Sequence, residues 1–269
     1  MSAATVEIAG QVPTALPLPD GYDALEHLAR SEYLDVWSVW SHERGCPAVA
    51  KVLRPDRLGD RSARARLVAE GRHLLGLAHP HLVRAYELGE VPEPVLVLET
   101  LTGETLGHLV ERRTRRLSCA DLAELGRQLC SVVGYLHRRG LLHLDLKPSN
   151  VVVESGRVRL LDLSHAREPG RCRAGYGTWE YMPPEQLLGG AVTTASDVYG
   201  IGAVLYRGAT LLRPFGHDRG SDDVRVDAGP LRRRSLPVAF RELVLGCLAQ
   251  DPADRPTLGE LATTLDRVA

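Results

Sequence analysis

Lysine and asparagine are almost absent from this chain. Its 269 residues include two lysines, Lys51 and Lys147, and one asparagine, Asn150, so nearly all of its basic charge comes from arginine. Where a chain keeps so few copies of a residue type, we expect those copies to lie where no other residue serves. Arginine, with its planar fork, does not replace the compact charge of a lysine. The two lysines and the asparagine are therefore the first candidates for functional residues.

Long hydrophobic runs and paired cysteines are also missing. The best apolar stretch, Tyr199–Tyr206, is far shorter than the ~20 residues that a helix needs to cross a bilayer. The N-terminus lacks the basic segment and apolar core of a signal peptide. The five cysteines show no CxxC spacing, which indicates free thiols in a reducing compartment. We therefore predict a cytoplasmic protein with no membrane partner.

The overall composition is that of a folded, soluble protein. Charged residues make up 25% of the chain and hydrophobic residues 44%, and the formal net charge of -1 argues against general nucleic-acid binding. The length suggests one large domain or two lobes, with enough residues to bury a sizeable core.

The first hundred residues have mainly strand-like patterns. Residues 1–20 contain scattered prolines and weak periodicity, which favour an N-terminal arm. The segment from Tyr22 to Ser41 alternates in places and predicts two strands with a turn, and "PAVAKVL" and "PVLVLETL" read as further strands. Between these runs, Leu67, Glu70 and Leu74 recur at helical spacing and predict one main helix.

Helical patterns dominate the rest of the chain. Ser118 and Asp121 have the spacing of a capping box before an apolar stripe, and Gly140 closes that helix. Two apolar runs around Ser155 and Gly156 predict a hairpin. We therefore predict an α+β protein with a small antiparallel lobe over residues 21–101 and a larger, mainly helical lobe over residues 102–269.

Several short motifs follow one another in a fixed order. A strand lysine in "VAKVL" precedes a helix glutamate, and then "HPHLVRAYELGE", "HLDLKPSN" and the triplet "DLS" appear. The segments "GTWEYMPPEQ", "SDVYGIGAVLY" and "DPADRPT" complete the series. In this order, the chain resembles the protein kinases, and in detail the bacterial Ser/Thr kinases of the eukaryotic type. The resemblance covers nearly the whole chain and implies the two-lobed kinase fold.

The resemblance also implies a role for each rare residue. Phosphoryl transfer from ATP needs positioning and cations around the phosphates. Lys51, held by Glu70, matches the lysine that binds the α- and β-phosphates. Asp145 matches the residue that accepts the proton of the substrate hydroxyl, and Lys147 matches the cation beside it. The ligands implied for Mg²⁺ or Mn²⁺ are Asn150 and Asp162, and the implied substrate is a protein.

Further positions are implied for ATP and for the fold. Val36, Ala50 and Val152 are expected to enclose adenine, with Leu98 as gatekeeper and the backbone of Glu99 and Leu101 bonding the adenine edge. Two structural contacts are implied as well. One is an ion pair between Glu185 and Arg255, and the other is a set of hydrogen bonds to Asp197 from the backbone of "HLDLKPSN", which matches the catalytic loop.

Four features depart from the kinase pattern. The glycines of the phosphate loop are replaced at Ala29, Ser31 and Leu34, so the backbone has less freedom to approach a phosphate. Leu144 stands where an arginine usually precedes the catalytic aspartate. "DLS" replaces Asp-Phe-Gly, and the segment between Asp162 and Glu185 is short, with Ser164, Tyr176 and Thr178 among its few hydroxyls. Of these, Thr178 resembles the residue that contacts Asp145 and Lys147.

Three functions fit these observations. The first is an active Ser/Thr protein kinase whose activation segment, the stretch between Asp162 and Glu185, is ordered without phosphorylation. The second is a pseudokinase that serves as an ATP-binding or interaction module, which the lost glycines favour. The third is a kinase of small molecules, which the "PPEQ" segment and the position of Lys147 disfavour.

Overall fold

The computed structural model describes residues 16–90, 92–112, 116–214, 231 and 235–268. Most of the arm predicted over residues 1–20 therefore lies outside the described residues. Among the helices of the described part, none is long and apolar enough to span a membrane. The chain forms two compact units, the first from residues 1–76 and 84–100 and the second from residues 77–83 and 101–269.

The first unit contains an antiparallel sheet of five strands and one main helix. Across the sheet the strands follow the order β1–β2–β3–β5–β4. In chain order they are β1 (Tyr22–Arg30), β2 (Leu34–Ser41), β3 (Cys46–Leu53), β4 (Ala85–Gly89) and β5 (Val95–Glu99), with the helix α1 (Arg61–Leu75) between β3 and β4. The predicted strands and the predicted main helix are confirmed, and β4 adds a strand that the apolar pattern did not indicate.

Helix α1 is fixed at its start by Asp60 and along one face by the sheet. The Asp60 carboxylate accepts hydrogen bonds from the backbone N–H groups of residues 62 and 63 and so caps the helix. On the sheet side, Gly71 allows close approach, because a Cβ atom there would lie 2.7 Å from Leu88 Cδ1. The same face buries Leu67, Glu70 and Leu74, so a carboxylate is carried into the interior beside the apolar contacts.

The opposite face of the sheet has its own apolar cluster. Its buried members come from β2, β3 and β5 and are Trp37, Val39, Ala48, Ala50, Val52, Val95 and Val97. Leu16 and Leu18, from the end of the predicted arm, pack against this cluster. Burying such side chains contributes ~25 cal/mol per Å² of apolar surface, so both faces of this small sheet stabilise the unit.

The second unit is mainly helical. Its helices are α2 (Leu106–Arg112), α3 (Cys119–His137), α4 (Pro184–Leu188), α5 (Thr194–Thr210), α6 (Val238–Cys247) and α7 (Leu258–Val268). Short strands accompany them: β6 (Glu104–Thr105), β7 (Val151–Glu154), β8 (Arg157–Leu160), β9 (Gly170–Arg171) and β10 (Ala191–Val192). Helix α3 packs against α5 and α7. The prediction of an α+β chain with a mainly helical second part is confirmed.

Local sequence explains where α3 begins and where the β7–β8 hairpin turns. Ser118 and Asp121 form the predicted capping box at the N-terminus of α3. The hairpin turn consists of Ser155 and Gly156, both with positive φ (50° and 79°). Two such residues give a turn whose twist matches the flanking strands. This hairpin follows directly on the loop that contains the rare asparagine.

Candidate active site

The lysine of β3 forms an ion pair with the glutamate of α1. Lys51 Nζ lies 2.6 Å from Glu70 Oε1, and the two side chains are 12% and 0% exposed. Taking a carboxylate out of water is costly unless it is paired. The pair therefore fixes the ammonium group of Lys51 relative to the sheet and the helix.

The strand register places Ala50 and Val36, both expected to enclose adenine, on opposite faces of the sheet. Lys51 lies opposite Val36 on β2, whereas Ala50 lies opposite Trp37. Since side chains alternate along a strand, Ala50 points to the opposite face from Lys51 and Val36, into the Trp37 cluster. Val49 shares the face of Lys51 instead. Ala50 therefore faces away from Val36, which favours Val49 for the contact with adenine, and that contact stays a prediction.

The remaining residues expected at adenine lie at the end of β5 and on β7. Leu98 is buried on β5, opposite Val49 on β3. The side chain of Glu99 accepts a hydrogen bond from Arg84 N at 2.7 Å. Leu101 follows at the start of the second unit, where Val152 is buried on β7. Their roles toward a nucleotide stay predictions.

The turn between β1 and β2, where the phosphate-loop glycines are missing, is closed by its own hydrogen bonds. Ser31 N donates to the Leu34 carbonyl at 2.8 Å, and Leu34 N donates to Ser31 Oγ at 3.0 Å. Directly after β3, the Arg54 guanidinium donates to the carbonyls of Ser31 and Glu32 at 3.1 and 3.3 Å. A backbone N–H group can bind a phosphate only when it is not engaged in another hydrogen bond and is directed at the phosphate. Here the Leu34 amide is already bonded to a hydroxyl.

An ion pair stiffens the strands that flank this turn. The Arg30 guanidinium donates to both oxygens of Asp35, at 2.7 and 3.0 Å, and His27 Nε2 lies 3.0 Å from the same carboxylate. Burial raises the pKa of Asp35, but the hydrogen bonds from Arg30 and His27 outweigh it and lower the pKa overall. The hairpin is thus held by a charged group that is almost fully buried.

In the second unit, the loop after α3 is anchored by the helix aspartate of α5. The backbone N–H groups of His143 and Leu144 donate to Asp197 at 2.9 and 2.8 Å. His137 Nε2 lies 2.8 Å from Asp197 Oδ2, so α3 contributes to the same anchor. The hydrogen bonds expected between the catalytic loop and Asp197 are confirmed.

The rare lysine and asparagine of this loop converge on Asp145. Lys147 Nζ lies 2.7 Å from Asp145 Oδ2, and Thr178 Oγ1 donates to Asp145 Oδ1 at 2.6 Å. Lys147 Nζ also donates to Thr178 Oγ1 at 2.7 Å. Asn150 Nδ2 donates to Asp145, at 2.9 Å to its carbonyl and 3.1 Å to Oδ2. The expected contact of Thr178 with both Asp145 and Lys147 is confirmed.

Asp162 follows the β7–β8 hairpin in a left-handed conformation, with a φ of 61°. Its Oδ1 accepts a hydrogen bond from Ser164 N at 2.9 Å. This places a partly exposed carboxylate in the turn that leads into the "DLS" segment, while Leu163 is buried. A non-glycine residue in this conformation costs free energy, and such positions cluster at functional sites.

Leu144 belongs to an apolar cluster that includes residues from the segment after Asp162. Its buried neighbours are Leu142, Cys172 and Val192, with Tyr176 packed at the edge. Gln186 Nε2 donates to the Leu144 carbonyl at 2.9 Å and also to the Tyr176 carbonyl. Leu163 is buried, whereas Trp179 and Tyr181 are only partly buried. Most of the packing found here involves residues that the sequence did not single out.

The expected ion pair between Glu185 on α4 and Arg255, just before α7, is present. Arg255 donates to both oxygens of Glu185, at 2.7 and 2.9 Å, and Ser196 Oγ donates to the same carboxylate at 2.7 Å. Bidentate pairs of this kind fix geometry as well as adding energy. They tie the end of the segment after Asp162 to the helical core.

Comparison with known proteins agrees with this arrangement. The family model for the protein kinase domain matches residues 22–265. The Ser/Thr-protein kinase pkn3 of Myxococcus xanthus is 32% identical over 79% of this chain and 43% of its own length. The Ser/Thr-protein kinases PknB of Mycobacterium leprae and Mycobacterium tuberculosis are 32% identical over 81% of this chain and 38% of their own lengths. The chain thus spans about two fifths of the curated relatives that it matches. It belongs to the protein kinase domain family, with bacterial Ser/Thr kinases as its relatives.

Proposed function

We propose that this chain is a cytoplasmic, ATP-dependent Ser/Thr protein kinase that transfers the γ-phosphoryl group to a hydroxyl of a protein. The domain would extend over residues 21–269. One observation carries the proposal: a hydroxyl, that of Thr178, donates to Asp145 while Lys147 contacts both groups. A serine or threonine substrate requires the same geometry around its own hydroxyl.

Asp145 is the base in this proposal. It is 5% exposed and hydrogen-bonded, so its orientation is set before a substrate arrives. A positioned base that receives the hydroxyl proton contributes ~10²–10⁴-fold to the rate. Lys147 offsets the negative charge of the migrating phosphoryl group, and its contact with Asp145 keeps its ammonium group at the site of transfer.

The residues present fit a nucleotide with its metal. When bound, Mg²⁺ or Mn²⁺ neutralises charge on the phosphates. The side-chain N–H₂ group of Asn150 donates to Asp145, so the side-chain carbonyl oxygen of Asn150 would be the metal ligand. Such a metal prefers hard oxygen ligands of this kind. The second protein ligand is Asp162. Lys51, oriented by Glu70, would bind the α- and β-phosphates, and Val36, Val49, Leu98 and Val152 would contact adenine, with the backbone of Glu99 and Leu101 at its edge.

We further propose that phosphorylation of the activation segment is not required. Leu144 cannot pair with a phosphate, and its cluster with Cys172 and Tyr176 already holds the segment. A phosphate on Thr178 would crowd the Asp145 carboxylate with like charge and inhibit. Protein coexpressed with a phosphatase, and shown by mass spectrometry to be unmodified over residues 162–185, should be active. Activity that appears only after phosphorylation there would contradict this proposal.

A pseudokinase is the second candidate, and the closed β1–β2 turn favours it. With the Leu34 amide bonded to Ser31, the turn offers less to a phosphate than a glycine-rich loop does. A protein of this kind would act as an ATP-binding or interaction module without transferring phosphate.

One assay separates the two candidates. Purified protein is incubated with radiolabelled ATP, Mg²⁺ and a generic basic substrate, and Asp162→Asn serves as the matched control. Transfer that depends on Asp162 and is lost when the metal is chelated supports the kinase. Equal background counts in both proteins, with the fold intact by circular dichroism, would favour the pseudokinase.

A further inference from the structure

A second titratable side chain lies beside the catalytic carboxylate. His165 Nδ1 is 3.9 Å from Asp145 Oδ2, the oxygen that also contacts Lys147 and Asn150. Its side chain is 23% exposed, whereas that of Asp145 is 3% exposed. The imidazole therefore faces the base from the partly open side of the site.

Two contacts hold the imidazole in this position. Its Nδ1 atom lies 3.2 Å from Ser164 Oγ, and its ring packs edge-on against the ring of Tyr176 at 5.1 Å between centroids. Tyr176 in turn packs against the Leu144 cluster. The ring is thus braced by the same segment that supplies Thr178, rather than lying loosely on the surface.

The charge of the imidazole is set by its surroundings. Burial lowers the pKa of His165, the carboxylates of Asp145 and Asp162 raise it, and Lys147 and His143 lower it, with a net shift downward. With a pKa below the ordinary ~6.5, the ring is neutral at pH 7 and gains its proton only as the pH falls. While His165 is neutral, the negative charge of Asp145 is balanced by Lys147.

We propose that His165 is a positioning residue for Asp145 that makes phosphoryl transfer sensitive to mild acid. Once protonated, the imidazolium becomes a second cation beside Asp145 Oδ2. A carboxylate paired with two cations is a weaker base and is held away from an incoming hydroxyl, so transfer slows. This inference rests on the proposed kinase function, because it concerns the rate of that reaction.

The experiment compares pH profiles of the rate at saturating ATP and Mg²⁺ between pH 5.5 and 8.0. Protonation of ATP affects all proteins alike, so the variants are compared with wild type at each pH. As the pH falls from 7.5, the wild-type rate should fall severalfold more than that of His165→Gln, which cannot titrate. The matched control His108→Gln removes an exposed histidine from α2 and should follow the wild-type profile.

Two results would overturn the inference. A His165→Gln profile that is uniformly lower than wild type but parallel to it would show a structural role only. A profile that superimposes on wild type would show no role. If thermal melting shows that His165→Gln does not fold, His165→Asn takes its place.

A second measurement does not depend on activity. The imidazole of His165 is titrated by NMR in wild type and in Asp145→Asn, where loss of the carboxylate should lower the midpoint by about half a pH unit or more. An unchanged midpoint would refute the coupling on which the inference depends. Absence of transfer by wild type at every pH would instead refute the proposed function, while the titration would still decide whether the two side chains are coupled.

Discussion

Replacing Leu144 by alanine and, separately, by glycine tests whether a leucine fills the place of the usual arginine in the way that the structure indicates. Leu144 is 4% exposed and has a φ of 61°. Truncating a buried leucine to alanine costs about 3 kcal/mol through lost burial and the cavity that remains. Alanine retains the strain of the left-handed conformation, which is about 1 kcal/mol for a residue with a Cβ atom. Glycine loses the same packing beyond Cβ but relieves that strain.

The expected order of stability is therefore wild type, then Leu144→Gly, then Leu144→Ala. We expect a gap of about 0.5 kcal/mol between the two variants after the cost of the more flexible glycine in the unfolded chain is included. This order is the reverse of that found at ordinary backbone positions, where glycine is less stable than alanine.

Free energies of unfolding from urea titration, monitored by circular dichroism, measure this order. Leu142 provides the matched control, because it is buried in the same cluster and is not among the described residues with positive φ. At Leu142, alanine should be more stable than glycine. If glycine is the less stable replacement at both positions, the account of Leu144 is wrong.

Three further predictions follow from the two units. Lys51→Met should reduce transfer more than about tenfold because it removes a cation from the phosphates, and Asp162→Asn should do the same because it removes a carboxylate proposed to hold the metal; Lys51→Arg keeps a cation beside the buried carboxylate and controls for folding. The double variant Ser31→Gly with Leu34→Gly should lower the KM for ATP, measured by initial rates, by freeing the turn amide; an unchanged or raised KM counts against this. Asp35→Asn should lower the free energy of unfolding at pH 7. Since the folded-state pKa of Asp35 is depressed, the wild-type advantage exists above about pH 3.8 and should disappear as the pH falls through the folded pKa; a difference that does not shrink as the pH falls below 3.8 would exclude this origin.

The sequence predicted those elements whose cause is local. The α3 capping box depends on Ser118 and Asp121 alone, and the β7–β8 hairpin on a two-residue turn between apolar runs. The catalytic loop was identified because rare residue types coincided with the positions of a known motif, and its contacts with Asp197 and Thr178 are as expected.

The rest depended on contacts that a sequence pattern does not encode. Strand β4 lies at the edge of its sheet, and all its residues are partly buried, so it shows no alternation. The face of Ala50 follows from the register with β2, where a shift of one residue exchanges the two faces. The paired strands β9 and β10 form only when distant residues meet. Likewise, His165 and Gln186 acquire their significance only through neighbours that are remote in the chain.

The scarcity of lysine has a practical consequence for chemical labelling. Apart from the amino terminus, the only primary amines of this 269-residue chain are those of Lys51 and Lys147. One is held by a glutamate and the other by an aspartate and a threonine. An acylating reagent therefore reports on these two candidate site residues and on almost nothing else. Because only the unprotonated amine reacts, the rate of labelling at each lysine, followed by mass spectrometry, measures how firmly these ion pairs hold its ammonium group.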